Sequence, residues 1–152
     1  MQKKPQAIIF IGIPASGKST FYLQQFADTH IRINLDMLNT KHREKRLLET
    51  CLEIEQSFVI DKTNITIESR ANYIRIAKSK GFKIIGYYFQ SKIDDSIGRN
   101  LKRLGKKQIP EKGIRGTHAK LQLPHIEEGF DELFYVQIGA DGKFVIKEWS
   151  SE

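Results

Sequence analysis

Between Gly12 and Thr20 the chain reads Gly-Ile-Pro-Ala-Ser-Gly-Lys-Ser-Thr, which satisfies the pattern G-x-x-x-x-G-K-[ST]. Each residue type there has a phosphate-handling reason. Gly12 and Gly17 let backbone N–H groups turn inward around an anion, with Pro14, Ala15 and Ser16 forming the turn between them. The N-terminus of the helix that follows adds its positive end. Lys18 can reach β- and γ-phosphates, the Ser19 hydroxyl can ligate Mg²⁺, and Thr20 is placed to add a hydroxyl to the α-phosphate. A chance match in a chain of this composition has a probability of roughly one in a hundred. The pattern implies a nucleoside triphosphate ligand.

What becomes of the phosphate depends on other residues. In a doubly wound sheet the ligand lies beyond the carboxyl ends of the strands, so polar residues just after a strand are the candidates. Two groups qualify: Asp36, after the segment Ile31 to Leu35, and Asp61-Lys62-Thr63-Asn64, after Phe58-Val59-Ile60. A carboxylate near the γ-phosphate can accept a proton from an attacking hydroxyl, which a kinase needs and a nucleotide switch does not. Asp61 can instead hold the magnesium shell, while Thr63 and Asn64 offer neutral hydrogen bonds to backbone or substrate. Each has a structural alternative: Asp36 as the N-cap of the next helix, Thr63 and Asn64 as a strand-to-helix turn.

The elements that must position these groups alternate in period. Ala7 to Ile11 is an unbroken β-branched and aromatic run, the pattern of a strand buried on both faces, and it feeds the glycine loop and a helix to about Thr29. Ile31 to Leu35, Phe58 to Ile60 and Phe82 to Phe89 read as further strands. Asp36 to Gln56 reads as one helix, and Ile67, Ala71, Ile74 and Ala77 stripe another that Gly81 closes. Ile93, Ile97, Leu101 and Leu104 stripe a fifth segment, predicted to pack, with Arg99, Lys102, Arg103 and Lys106 on its opposite, phosphate-facing side. Leu121 to Ile126 ends a further helix near Pro124. Leu133 to Ile138 and Lys143 to Trp149 form a hairpin through Asp141-Gly142, a two-residue turn signal. Strands alternating with helices imply a mainly parallel sheet covered on both faces.

Composition narrows the function classes. The 152 residues are 39% hydrophobic, enough for one buried core, and no apolar run is long enough to cross a bilayer. The single cysteine, Cys51, leaves no disulfide framework, and the four histidines show no metal-ligand spacing, so a cytoplasmic, reducing compartment is expected. The net charge of +7 is concentrated: from Arg99 to Lys120 there are eight basic residues and one acid, Glu111, while outside that window bases and acids balance. Such a segment implies an anionic ligand, against the alternative of a solvated helix face.

Taken together, these residues resemble the 5′-kinase domain of polynucleotide kinases, a group of P-loop kinases related to the zeta toxins. Four stretches carry the likeness: the loop Gly12 to Thr20, Asn34-Leu35-Asp36 for the acceptor motif N-x-D, Asp61-Lys62-Thr63-Asn64 for D-x-T-N, and Arg99-Asn100-Leu101-Lys102-Arg103 for the lid motif R-N-x-x-R. The segment from Leu123-Pro124 to Glu128-Gly129-Phe130 is similar to the eukaryotic form. The resemblance implies an α/β fold: an adenylate-kinase-like P-loop NTPase sheet, parallel and flanked by helices, with a basic lid and a C-terminal β-hairpin, in a single domain over residues 1–152. It implies Asp36 as general base on the acceptor hydroxyl, Arg103 as the lid arginine on the donor phosphates with Arg99 beside it, Lys18 as a catalytic cation, and Ser19 with Asp61 at the metal.

The expected activity is transfer of the γ-phosphate of ATP, with Mg²⁺, to a hydroxyl, the favoured acceptor being the 5′-OH of a nucleic acid. Two departures weigh on the acceptor. In the phage and bacterial enzymes an arginine three positions after the general base holds the acceptor phosphate, and here that acceptor-site position is Asn39; the arginine common before the aspartate is Leu35. A kinase of a nucleoside or nucleotide-sugar, and a nucleotide-dependent switch without transfer, remain as alternatives. No D-x-D-G-T phosphatase signature occurs, so the kinase is expected to stand alone, and no membrane partner is expected.

Overall fold

The computed structural model describes residues 3–149. Six strands form one sheet in the order β2-β3-β1-β4-β5-β6. These are β1 (Gln6–Ile11), β2 (Ile31–Ile33), β3 (Phe58–Ile60), β4 (Lys83–Phe89), β5 (Glu132–Ile138) and β6 (Phe144–Glu148). The first five run parallel and β6 turns back antiparallel on β5. β1 lies in the middle because its side chains are apolar in both directions. Ile8 and Phe10 enter one core cluster, and Ala7, Ile9 and Ile11 the other.

The helices are α1 (Lys18–Gln25), α2 (Leu35–Leu38), α3 (Lys41–Glu53), α4 (Ile67–Ser79), α5 (Ile93–Leu101) and α6 (Glu111–Lys120). α1 covers one sheet face through Phe21 and Tyr22, where Phe10, Phe21 and Phe89 meet edge-to-face at 5.0–5.8 Å. α3 and α4 cover the other through Leu48, Cys51, Leu52, Ile74 and Ala77. The expected α/β architecture is therefore present, and no helix among the described residues is long and apolar enough to cross a membrane.

Several element boundaries differ from expectation for local reasons. The single helix expected over Asp36 to Gln56 is two: Asn39, at φ 71°, ends α2, and the Thr40 side chain caps α3 by accepting from the Arg43 N–H at 3.1 Å. β2 stops at Ile33 because Asn34 already caps α2. α1 stops at Gln25, short of Thr29. Leu121 to His125 is not helical and Ile126 opens a short 3-10 turn to Glu128; α6 precedes this segment, opening after Pro110. The hairpin loop has three residues rather than two, since Gly139 N–H bonds the Lys143 carbonyl at 2.8 Å and Gly142 takes φ 78°.

The largest difference concerns α5. Leu101 and Leu104, expected to pack, are 69% and 86% exposed, while the polar Ser96 and Asn100 face inward. The helix ends at Leu101, so the stripe loses its face before it is complete. Asn100 is buried because its side chain carries backbone bonds: it accepts from the Ile109 N–H at 2.8 Å and donates to the Ile109 carbonyl.

The C-terminal motif from Leu123 to Phe130 braces the core. Glu128 accepts from Arg70 Nε at 2.8 Å and Nη2 at 3.0 Å, an ion pair with both side chains buried. Arg70 also donates to the Asn64 carbonyl at 2.7 Å, tying α4 to the turn after β3. Trp149 donates through Nε1 to the Pro124 carbonyl at 2.9 Å and stacks on Tyr135.

Candidate active site

The phosphate loop joins β1 to α1 and is held from three sides. Gly12 N–H donates to the Thr63 carbonyl at 3.0 Å, Ile13 N–H to Ser91 Oγ at 3.2 Å, and Arg99 Nε to the Ala15 carbonyl at 2.6 Å. Glycine is required at both ends of the turn. A Cβ on Gly12 would lie 2.9 Å from Ser16 Oγ and 3.0 Å from Phe89 Cβ, and Gly17 adopts φ 100° with Phe144 against it. Ala15 accepts a left-handed φ of 62°.

At the centre of the loop lies Lys18, buried, with Nζ donating to the carbonyls of Gly12 at 2.9 Å and Ile13 at 2.7 Å and to Ser16 Oγ at 3.4 Å. Burial lowers its pKa to about 8; Asp61 opposes that shift and Arg103 adds to it. A lysine so placed is an ammonium that gains from any phosphate entering the loop.

Ser19 Oγ donates to Asp61 Oδ2 at 3.1 Å, and Asp61 is almost wholly buried. A hydroxyl and one carboxylate, both oxygen donors beside a phosphate loop, suit Mg²⁺, which takes one or two protein oxygens and completes its shell with phosphates and water. No cluster of three or more metal-ligating side chains exists among the described residues. The third member of the group was not expected from the sequence: Arg32 donates from Nε to Asp61 Oδ2 at 2.8 Å and from Nη2 to Ser19 Oγ at 2.8 Å. Its signal was a lone base within the short strand Ile31-Arg32-Ile33, two residues before the N-x-D motif.

Asp36 does not cap a helix. That role belongs to Asn34, whose Oδ1 accepts from the Met37 N–H at 2.9 Å and whose Nδ2 donates to the Asp61 carbonyl at 2.8 Å. Asp36 sits in the first turn of α2, exposed, and lines a cavity of about 250 Å³ together with Lys18, Ser19, Asp61, Thr63 and Arg103. Pro14 and Ala15 line it as well. Thr20, Asn39 and Asn64 do not. Thr20 is exposed on α1, and Asn39 ends α2 with its side chain on the Met37 carbonyl at 3.3 Å. Buried Asn64, at φ 44°, donates to the Phe10 carbonyl at 2.7 Å, binding the end of β1 to the turn after β3.

The R-N-x-x-R segment divides into three tasks. Arg99 grips the loop carbonyl, Asn100 latches the chain between α5 and α6, and Arg103 reaches the cavity while its Nη1 donates to the Lys107 carbonyl at 3.3 Å. Lys102, Lys107, Lys112, Arg115 and Lys120 are exposed. Most of the basic segment is thus a solvated surface, and two arginines carry its charge to the site.

No family model matches the chain. Over 129 residues it is 35% identical to the bifunctional polynucleotide phosphatase/kinase of Schizosaccharomyces pombe, an alignment covering 82% of this chain and 32% of that protein. The chain spans about a third of the length of the polynucleotide phosphatase/kinases it matches. Among solved structures it is similar to a chain of the Pnkp1/Rnl/Hen1 RNA repair complex, with TM-score 0.64 and 25% identity, covering 86% of this chain and 48% of that one. It also shares its fold with Chaetomium thermophilum Kti12, solved in complex with ADP-AlF3, with TM-score 0.69 and 14% identity, covering 86% and 88% of the two chains. The resemblance carried by the four motifs is borne out in sequence, and the fold is that of the P-loop kinases and NTPases.

Proposed function

We propose that this chain is an ATP-dependent P-loop kinase that transfers the γ-phosphate to a hydroxyl, with the 5′-OH of a polynucleotide as acceptor. The observation that carries this reading is the freedom of Asp36: with Asn34 capping α2, an uncommitted carboxylate shares one cavity with Lys18, Ser19, Asp61 and Arg103. A switch that only binds nucleotide has no use for it.

Mg²⁺ bound by Ser19 and Asp61 would supply charge neutralisation at the β- and γ-oxygens. The chain's own residues do the rest. The loop orients the triphosphate, with Lys18 and Arg103 placing positive charge where negative charge builds up. Asp36 takes the proton as the acceptor oxygen bonds to the γ-phosphorus and the bond to the bridging oxygen breaks, releasing ADP. The polynucleotide acceptor is supported by the likeness to polynucleotide phosphatase/kinases. A small hydroxyl metabolite is favoured by one observation: Asn39 is a helix end and brings no charge for an acceptor phosphate.

The test is incubation of γ-labelled ATP with 5′-OH oligonucleotides. Labelled oligomer that disappears in Asp36→Asn, with ATP binding retained, supports the reading. Unlabelled oligomer alongside a phosphorylated metabolite from an extract transfers it to the small-molecule class.

A further inference from the structure

Three cations line the cavity that holds Asp36: Lys18, Lys62 and Arg103. Two of them stand with the donor. Lys18 is buried in the phosphate loop on the carbonyls of Gly12 and Ile13, and Arg103 comes from the segment after α5 and donates to the Lys107 carbonyl. Lys62 comes from the other wall, directly after Asp61 at the end of β3. Asn34 Nδ2 donates to the Asp61 carbonyl at 2.8 Å, so the turn that carries Asp36 is tied to the peptide that begins Lys62. Asn39, at the end of that same turn, supplies no charge.

Lys62 is held rather than left to swing. Its Nζ donates to Glu44 Oε1 at 3.2 Å and to Tyr73 OH at 2.9 Å, and Tyr73 OH donates to the same Glu44 oxygen at 2.5 Å. Glu44 belongs to the first turn of α3 and Tyr73 to α4, so two helices fix one ammonium. An ammonium carries three N–H donors, and only two of them have partners among the described residues. The side chain is 29% exposed, open to the space it lines. Burial works against its charge, but Tyr73 and Glu44 outweigh burial and its pKa is raised, so the group stays an ammonium. An oriented cation with one N–H left to give suits a phosphate oxygen.

We propose that Lys62 is the acceptor-anchoring cation of this kinase, binding the phosphate on the 3′ side of the nucleoside whose 5′-OH meets Asp36. This rests on the polynucleotide-kinase reading. The hydroxyl and that phosphate sit on one sugar, so the groups that read them must line one small cavity, as Asp36 and Lys62 do. The charge that Asn39 lacks is thereby supplied from the end of a different strand. A nucleoside without the phosphate gains nothing from Lys62, so this residue selects the polynucleotide end over the free nucleoside.

The experiment uses the full chain, γ-labelled ATP and two 5′-OH oligonucleotides that differ only in the first internucleotide linkage, a phosphodiester in one and an uncharged methylphosphonate in the other. Wild type should favour the charged linkage by about tenfold or more in kcat/KM, mainly through KM, as a hydrogen bond to a charged group would give. Lys62→Met should bring that ratio close to one. No preference in wild type, or a ratio that Lys62→Met leaves intact, overturns the proposal. If Lys62→Met does not fold with Glu44 left uncompensated, Lys62→Met with Glu44→Gln removes both charges and is read in the same way. If no oligomer is phosphorylated the kinase reading fails, and Lys62 is then tested by calorimetric titration with adenosine 3′-monophosphate and with adenosine, ADP filling the phosphate loop. Tighter binding of the monophosphate that Lys62→Met abolishes supports the anchor; equal binding, or none, overturns it.

Discussion

Arg32 Nε lies 2.8 Å from Asp61 Oδ2, and the same guanidinium reaches the Ser19 hydroxyl, so a protein cation spans the two oxygens best suited to magnesium. With Arg32 partly exposed and Asp61 buried, the pair neutralises a carboxylate that also accepts from the Ser19 hydroxyl. Two cations competing for one carboxylate oxygen have opposite effects on metal affinity and on the metal-free fold. Arg32→Met should lower the Mg²⁺ concentration for half-maximal activity by about tenfold, since roughly 1.4 kcal/mol of competition is removed. The same variant should melt at a lower temperature without divalent cation and gain more from Mg²⁺-ATP than wild type. A Mg²⁺ titration that is unchanged or shifted upward sinks the competition argument.

Asp36 and Asn34 separate chemistry from folding within one turn of chain. Because Asn34 makes the cap, Asp36→Asn should leave the melting temperature close to wild type and reduce transfer by about 10²–10⁴-fold, the usual contribution of a general base. Asn34→Ala should cost about 1 kcal/mol of stability through the lost cap. Parallel thermal melts and single-turnover assays on the two variants check both halves.

Lys18 gives the site a pH signature. Its folded pKa, about 8, lies below the ordinary lysine value, so the ammonium that phosphate binding requires is lost from the free protein as pH rises through 8. The kcat/KM for ATP, which reports the free enzyme, should fall above pH 8. Between about pH 8 and the ordinary lysine value the unfolded chain holds a proton that the folded chain has released. Stability therefore rises with pH across that window, and Lys18→Met should remove the rise. Urea titrations at pH 7.5 and 9.5, on wild type and variant, measure the difference.

Arg70 and Glu128 form a buried, two-bonded ion pair that joins α4 to the C-terminal turn. Glu128→Ala leaves a guanidinium uncompensated inside the core and should cost about 3–5 kcal/mol. Replacing both partners, Arg70→Met with Glu128→Leu, should recover most of that loss because no charge is left buried. Chemical denaturation of the single and double variants provides the comparison; a double variant no better than the single one would show that the pair itself is required.

The phosphate loop was legible because its chemistry is local: Gly12, Gly17, Lys18 and Ser19 do their work within a few residues, and the apolar run of β1 announces the strand that presents them. Asp36 and Asp61 were legible as residues following strands, although which carboxylate remains free was not, since that depends on Asn34 taking the cap. The α5 stripe misled because helical periodicity assumes the helix continues. It stops at Leu101, and Asn100 wins the interior by satisfying the backbone of Ile109.

Sequence alone determined the parallel α/β plan, the anion-binding loop and the placement of excess charge between Arg99 and Lys120, because hydrophobic period and motif spacing are properties of short segments. Only the tertiary structure decided the partners that meet across the chain. Arg32 lies across Ser19 and Asp61, Glu44 pairs with Lys62 and Tyr73, and Arg70 with Glu128, at separations of 11 to 58 residues. Such pairs leave no mark in local pattern, because their energy comes from burial and hydrogen bonding that exist only once the sheet has brought distant loops to one edge.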